Sequence, residues 1–259
     1  MIPAQGGRPR SEDRMPAPFA WVAIPGGRRI LRYDTWFGYG DEQRVALAPY
    51  AIAKYPVTNG QFALFVEAGG YDTPRWWTAE GWAHRQRAGW TAPRDWDEPE
   101  WNGADQPVVS LSWYEAMAFC LWLSDVTGET ICLPTEAQWQ VAAQGEDGRA
   151  YPWGDAWDGA RCNHSVPPGD HFGTTPVTRF EGQGASPYGV VDLAGNVWEW
   201  CLTDYDSRAD DPHARAKLRV LRGGSWFNRQ AEFFRCDARY GDSPIFSNFH
   251  RGFRIVRLG

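Results

Sequence analysis

A chain of 259 residues with 43% hydrophobic content can bury a sizeable core as one large domain or two small ones. A formal net charge of −6 argues against a nucleic-acid surface, although a local basic patch survives a global sum. The 16 Trp, 28 Gly and 19 Pro favour short elements joined by ordered loops and pinned by large rings over long regular helices. Residues 1–17 are rich in Gly, Pro and charge and read as a flexible tail. The first strand is expected from Phe19 to Ile24, ended by Pro25 and two glycines, and a second within Val45 to Val57, where Pro49 suits an edge or a bulge.

Three helix starts follow from capping chemistry, in which a Ser or Thr oxygen takes the N3 amide and a Glu or Gln at N3 reaches back. They are Thr58 with Gln61, Ser112 with Glu115, and Thr135 with Gln138. The first helix turns Phe62, Phe65 and Val66 inward and ends at Gly69 and Gly70. The second places Ala116, Phe119, Cys120 and Leu123 on one face and stops at Gly128, and the third is short and ends at Gly145. The connection from Tyr71 to Val108 carries too much Trp for a disordered linker and reads as an ordered loop packed on the body. Beyond Gly145 the chain alternates turns with short strands, through YPWGD, TTPV, YGVVDLAGNVWEW, LRVLRGG and GFRIVRL. With no internal repeat and no composition break, residues 18–259 read as one domain of α+β class with few helices, short strands and high loop content.

The five Cys are widely spaced and contain no C-x-x-C pair, so neither a zinc cage nor a secreted disulfide framework is indicated. The N-terminus lacks the apolar run of a signal peptide and no stretch approaches a membrane span, so a cytoplasmic protein without membrane insertion is the default, with surface display by another route left open. Lys occurs only at Lys54 and Lys217 and Asn is scarce, which fits a GC-rich bacterial genome and a heat-adapted host, although codon bias explains it equally. No G-x-S-x-G, P-loop, H-E-x-x-H or dinucleotide fingerprint is present.

Seven blocks, YPVTNGQF at 55–62, QPVVSLSWYEAMAFCLWLS at 106–124, LPTEAQW at 133–139, YPWGD at 151–155, YGVVDLAGNVWEW at 188–200, VLRGGSW at 220–226 and GFRIV at 252–256, resemble in order the signature blocks of the formylglycine-generating enzyme (sulfatase-modifying factor) domain family. The resemblance covers nearly the whole chain after the tail and implies an elaborated C-type lectin fold. Enzymes of that family oxidise a substrate cysteine with copper held by a cysteine pair shortly after the G-G-S-[WY] block, because copper(I) requires soft thiolates. Here Gly223-Gly224-Ser225-Trp226 is followed by Phe227 to Phe234 with no cysteine, and Cys236 matches a packing cysteine of the family. A second branch, the iron-dependent sulfoxide synthases of thiohistidine biosynthesis, needs three histidines on an extra helical domain, whereas His84, His164, His171, His213 and His250 are dispersed.

A third branch, the variable proteins of diversity-generating retroelements, resembles this chain in its C-terminal stretch WFNRQAEFFRCDARYGDSPIFSNFHRGFR. Diversified codons of that branch never yield Trp, Met, Lys, Gln or Glu, and none of the five types occurs from Phe233 to Gly252. The resemblance therefore implies a non-enzymatic binding protein with a variable region at 227–250, no catalytic residue and no catalytic cofactor. The alternative is a copper-dependent formylglycine-generating or related oxidase. Expected ligand contacts are Phe227, Asn228, Phe234, Asp237, Tyr240, Asp242, Ser243, Ile245, Phe246, Ser247, Asn248, Phe249 and His250, meeting a protein or other macromolecular surface. The competing reading is that Phe and Ile pack under neighbouring loops, with at least one of Phe233 and Phe234 in the core. Arg235, Cys236, Arg239, Gly252, Phe253 and Arg254 read as scaffold, Trp198, Trp200 and Trp226 as core, and Arg222 and Arg254 as braces.

The resemblance also implies structural calcium. Asp192, Gly195, Val197 and Glu199 match a family site of two side-chain and two carbonyl oxygens. The alternative there is that Asp192 and Glu199 only order the loop, Glu199 by pairing with an Arg. A second family site falls on Asn163, the His164 carbonyl, Asp170 and the Phe172 carbonyl, with its spacing before TTPV shortened.

Overall fold

Each of the three expected capping boxes is formed, with the Thr58, Ser112 and Thr135 oxygens accepting the N3 amides of Gln61, Glu115 and Gln138. The computed structural model describes residues 8–35, 40–167 and 172–259, so residues 1–7 of the expected tail and Asp170 lie outside the described residues. In chain order the elements begin with α1 (Ser11–Arg14), β1 (Trp21–Ile24), β2 (Gly27–Thr35), β3 (Asp41–Leu47), β4 (Tyr50–Ala53), α2 (Asn59–Glu67) and α3 (Ala79–Ala88). They continue with α4 (Trp113–Thr127), β5 (Thr130–Cys132), α5 (Glu136–Gln144), β6 (Trp198–Asp204), β7 (Arg219–Arg222), β8 (Ala238–Asp242), β9 (Arg251–Gly252) and β10 (Val256–Leu258). One sheet runs β1-β4-β10-β5 and the other β3-β2-β8-β7-β6-β9, which gives the α+β architecture of few helices and short strands.

The larger core sits between α2, α4 and the strands: Phe62 stacks on Phe119 at 5.5 Å, and Phe119 meets Phe253 edge-on at 5.5 Å. Helix α4 is buried almost all round, as a helix apolar on every side must be. Among the described residues, no helix is long and apolar enough to cross a membrane.

Four sequence expectations are revised. Residues 8–17 dock on the body: Met15 is buried, Ser11 N donates to Glu129 Oε2 at 2.9 Å, and Gln61 Nε2 donates to the carbonyls of Pro16 and Pro18 at 3.0 and 2.8 Å. Pro49 separates two strands that enter different sheets, and β2, whose Leu31 and Tyr33 face inward, hides in the sequence behind its arginines. The Trp-rich connection contains α3, capped by Thr78 and closed by Gly89 at φ 67°. The stretch GFRIVRL, expected as one short strand, is divided, with β9 running parallel to β6 and β10 antiparallel to β4 and β5.

Candidate functional site

The C-terminal stretch begins with a turn only glycine accepts. Gly223 and Gly224 lie at φ 94° and 71°, and a Cβ on Gly224 would meet Phe234 Cδ1 at 2.7 Å. Beyond it, Ser225 donates from both N and Oγ to Asn228 Oδ1 at 2.9 Å, Trp226 N donates to Asn196 O at 3.0 Å, and Ser165 Oγ donates to Trp226 O at 2.7 Å. The turn is braced on three sides, so the side chain after it has a fixed outward direction. That side chain is Phe227, 55% exposed.

The stretch is only partly a loop, since β8 pairs antiparallel with β7 and lifts Tyr240 outward over Trp198, ring centroids 5.7 Å apart. Tyr240, Ile245 and Phe246 are exposed, and Ser243, Ser247, Asn248, Phe249 and His250 are half-buried. Four expected contacts are engaged elsewhere. Phe234 is fully buried and stacks on Trp157 at 5.0 Å, which removes it from the face. Asn228 holds the turn described above. Asp237 takes a two-pronged contact from Arg235 at 2.8 and 2.7 Å, and Asp242 pairs with Arg251. Arg222 acts as the expected brace: it donates to the carbonyls of Cys236, Asp237 and Ala238 and to Gln140 Oε1.

Sequence reasoning missed Trp101, whose ring stacks on Trp226 at 5.6 Å and on Phe249 at 5.5 Å. Phe227 then lies parallel to His250 at 5.6 Å and edge-on to Phe249 at 5.8 Å. Rings in mutual contact at these distances form a continuous aromatic platform. Burial, and then the charge of Arg251, push the His250 imidazole down to about 4, so it is neutral at physiological pH. Trp226 Nε1, Asn248 Oδ1 and His250 Nδ1 are buried without a hydrogen-bond partner.

Beneath the turn lies a polar hub. Asn196 Nδ2 donates to Asp192 Oδ2 at 2.9 Å and to Thr175 O at 3.1 Å, and Asn163 Nδ2 donates to Asn196 Oδ1 at 3.2 Å. Asp192 Oδ1 and Asn163 Oδ1 are buried with no partner, a condition that fits hard oxygen donors kept for a cation. Desolvation pushes the Asp192 carboxyl up to about 7, a penalty that a cation would offset. Glu199 does not fit this role: both oxygens are taken by Arg254 at 2.6 Å, and Oε2 also accepts Trp139 Nε1 at 2.6 Å. The expected ligand set of Asp192, Gly195, Val197 and Glu199 thus loses its second carboxylate, because Arg254 neutralises it. In the other expected set, built on Asn163, the His164 and Phe172 carbonyls and Asp170, Asn163 supplies the unpartnered Oδ1 named above and Asp170 lies outside the described residues.

Residues 8–258 match the model of the sulfatase-modifying factor enzyme 1-like domain. The chain is 33% identical to the formylglycine-generating enzyme of Thermomonospora curvata, over 91% of this chain and 92% of that protein. It is 33% identical to the inactive C-alpha-formylglycine-generating enzyme 2 of Mus musculus, over 92% and 85% respectively. With the hercynine oxygenase of Mycolicibacterium smegmatis it shares 31% identity over 98% of this chain, and the match spans 64% of that protein. Among solved structures, PvdO from Pseudomonas aeruginosa superposes with a TM-score of 0.70 at 23% identity, covering 92% of this chain and 94% of that one. Treponema denticola variable protein 1 gives 0.68 at 21%, covering 93% and 95%.

Proposed function

The chain belongs to the sulfatase-modifying factor enzyme 1-like family, and from that premise we propose that it is a binding protein whose braced body presents the C-terminal face to a macromolecular ligand. The observation that carries this reading is the aromatic platform and the exposed Phe227, Tyr240, Ile245 and Phe246, where the resemblance places a thiolate pair in the enzymes. Cys236 offers no substitute: it is fully buried, and desolvation pushes its thiol far above the ordinary range, away from the thiolate that copper needs. The similarity to a variable protein supports a diversified surface, while the relatives named as enzymes keep an oxidase activity as the competing reading.

Two measurements test it. Incubation with copper(I) and a cysteine-containing sulfatase peptide is expected to leave the peptide unchanged by mass spectrometry; conversion to formylglycine would overturn the reading. Phe227→Ser, Tyr240→Ser and Phe246→Ser are each expected to lower stability by no more than about 1 kcal/mol. Phe234→Ala, by contrast, should cost about 3–5 kcal/mol, the loss typical of a buried ring. Urea unfolding separates the two classes, and equal losses would mean that the face is core.

The same reading keeps a structural calcium ion with Asp192 and Asn163 as side-chain donors. Calcium is then expected to raise the Tm of the chelator-treated wild-type protein and to leave the Tm of Asp192→Ala unchanged. A wild-type Tm indifferent to calcium would remove the ion from the proposal.

A further inference from the structure

We propose that the platform around Phe227 and Phe249 receives a basic segment of another polypeptide, an inference that rests on the binding-face reading above. The segment leading into Trp101 reads DWDEPEWNGAD from position 95. Its Asp97, Glu98, Glu100 and Asp105 are exposed, and none forms an ion pair among the described residues. Asp95 alone is occupied, by Arg94 and Ser110. Four uncompensated carboxylates on one short loop set up a negative field at its edge.

That loop is held against the platform. Trp101 N closes a turn onto Glu98 O at 3.0 Å, Arg94 N donates to Ser110 O at 3.0 Å, and Ser110 N donates to Asn248 O at 3.1 Å. The Trp101 ring then stacks on Trp226 and Phe249, so acid and aromatic surface share one border. The face itself supplies little positive charge to cancel this, because Arg235 and Arg251 are paired with Asp237 and Asp242, and the exposed Arg229 is balanced by the exposed Glu232.

Three features of the ligand follow. A phosphate-bearing ligand would be repelled, which disfavours nucleic acid. A lone small cation would leave the exposed Phe227 ring uncovered, so the charge is best carried by a group with apolar mass that can lie on the platform. Arginine and lysine suit both demands, because their cations pair with the rim carboxylates and sit over ring faces, and their stems cover apolar surface. Rim charges of this kind govern encounter rate and salt dependence, while the rings supply the anchor.

The test uses the full chain and two fluorescent peptides of equal length and equal Trp and Leu content, one carrying Arg and the other Glu, followed by anisotropy at low and high salt. The Arg peptide is expected to bind at least about tenfold tighter than the Glu peptide and to weaken with salt. The variant Asp97→Asn/Glu98→Gln/Glu100→Gln should lose most of that preference and its salt dependence. A control of equal charge change elsewhere, Asp13→Asn/Glu67→Gln/Asp206→Asn, should leave affinity within about twofold. Phe227→Ser should weaken the Arg peptide in either background, with matching melting curves confirming that each variant is folded. Equal binding of both peptides, abolished by Phe227→Ser, would overturn the basic-partner inference while leaving the binding face intact. Arg-peptide binding that ignores Phe227→Ser, or that the control triple reduces as much as the rim triple, would overturn the inference and count against the face. Absence of binding by the Arg peptide would overturn the inference.

Discussion

Replacing Arg254 with Met is expected to cost about 3–5 kcal/mol, the loss seen when one partner of a buried ion pair is removed. Both Arg254 and Glu199 are fully shielded from solvent. Arg254 places Nε and Nη2 on the two carboxylate oxygens at 2.6 Å and directs its remaining donors to the carbonyls of Ala53, Lys54 and Val191 at 3.1, 3.3 and 2.9 Å. One side chain therefore ties the end of β4 and the 191 loop to β6. The methionine variant leaves Glu199 with Trp139 Nε1 as its remaining donor in a site where an unpaired carboxylate is strongly penalised. Glu199→Gln/Arg254→Met should recover part of that loss, since neither charge then remains buried. Urea midpoints of the wild type, both single variants and the double variant give the coupling directly; additive losses would show that the pair is not the unit. The loss in Glu199→Gln should be the same with calcium or with a chelator, because this carboxylate answers to Arg254. Asp192→Ala, by contrast, should alter the response to calcium.

The parts of this molecule that local chemistry determines were legible from the sequence. The capping boxes at Thr58, Ser112 and Thr135 use atoms three residues apart, so nothing distant had to be known, and all three form. The Gly223-Gly224 turn belongs to the same class, whereas the bracing role of Arg222 followed from the family resemblance, since its partners Cys236 and Gln140 lie far along the chain. Strand β2 was missed because adjacent Arg28 and Arg29 and the outward-facing Ile30 break its period of two, and β8 because Tyr240 and Gly241 flank no apolar repeat. The sequence marks at least one of Phe233 and Phe234 for the core, beside the scaffold residues Arg235 and Cys236, but residue type does not say which. Trp157, distant along the chain, takes Phe234 inward, while Ser225, Asn228 and Ser165 hold the turn that turns Phe227 outward. Trp101 illustrates the limit further, since its role on the platform depends on ring contacts more than a hundred residues away in sequence, which no local pattern records.

Glu115→Gln is expected to change the pH dependence of stability by about 3 kcal/mol between pH 5 and pH 8. Glu115 is fully buried at the start of α4, where Oε2 accepts Ser112 N at 2.7 Å and Oε1 accepts the Tyr71 hydroxyl at 2.5 Å. Desolvation outweighs these hydrogen bonds and pushes the carboxyl from its ordinary 4.5 up to about 7. A carboxyl raised in the folded state stays protonated there while the unfolded chain ionises. Its contribution is therefore intact below about pH 4.5, falls as pH rises, and is fully lost above about pH 7. Glutamine is the other residue that completes a capping box, and it can accept from Ser112 N while its Nε2 donates to the Tyr71 oxygen. The variant should thus match the wild type near pH 5 and exceed it by about 3 kcal/mol near pH 8. The wild-type slope alone is a poor readout, because the depressed His250 destabilises the fold as pH falls and so acts in the opposite sense. Subtracting the variant's urea midpoints from those of the wild type across this range cancels His250 and leaves the Glu115 contribution; parallel curves would mean that Glu115 titrates as an ordinary carboxyl.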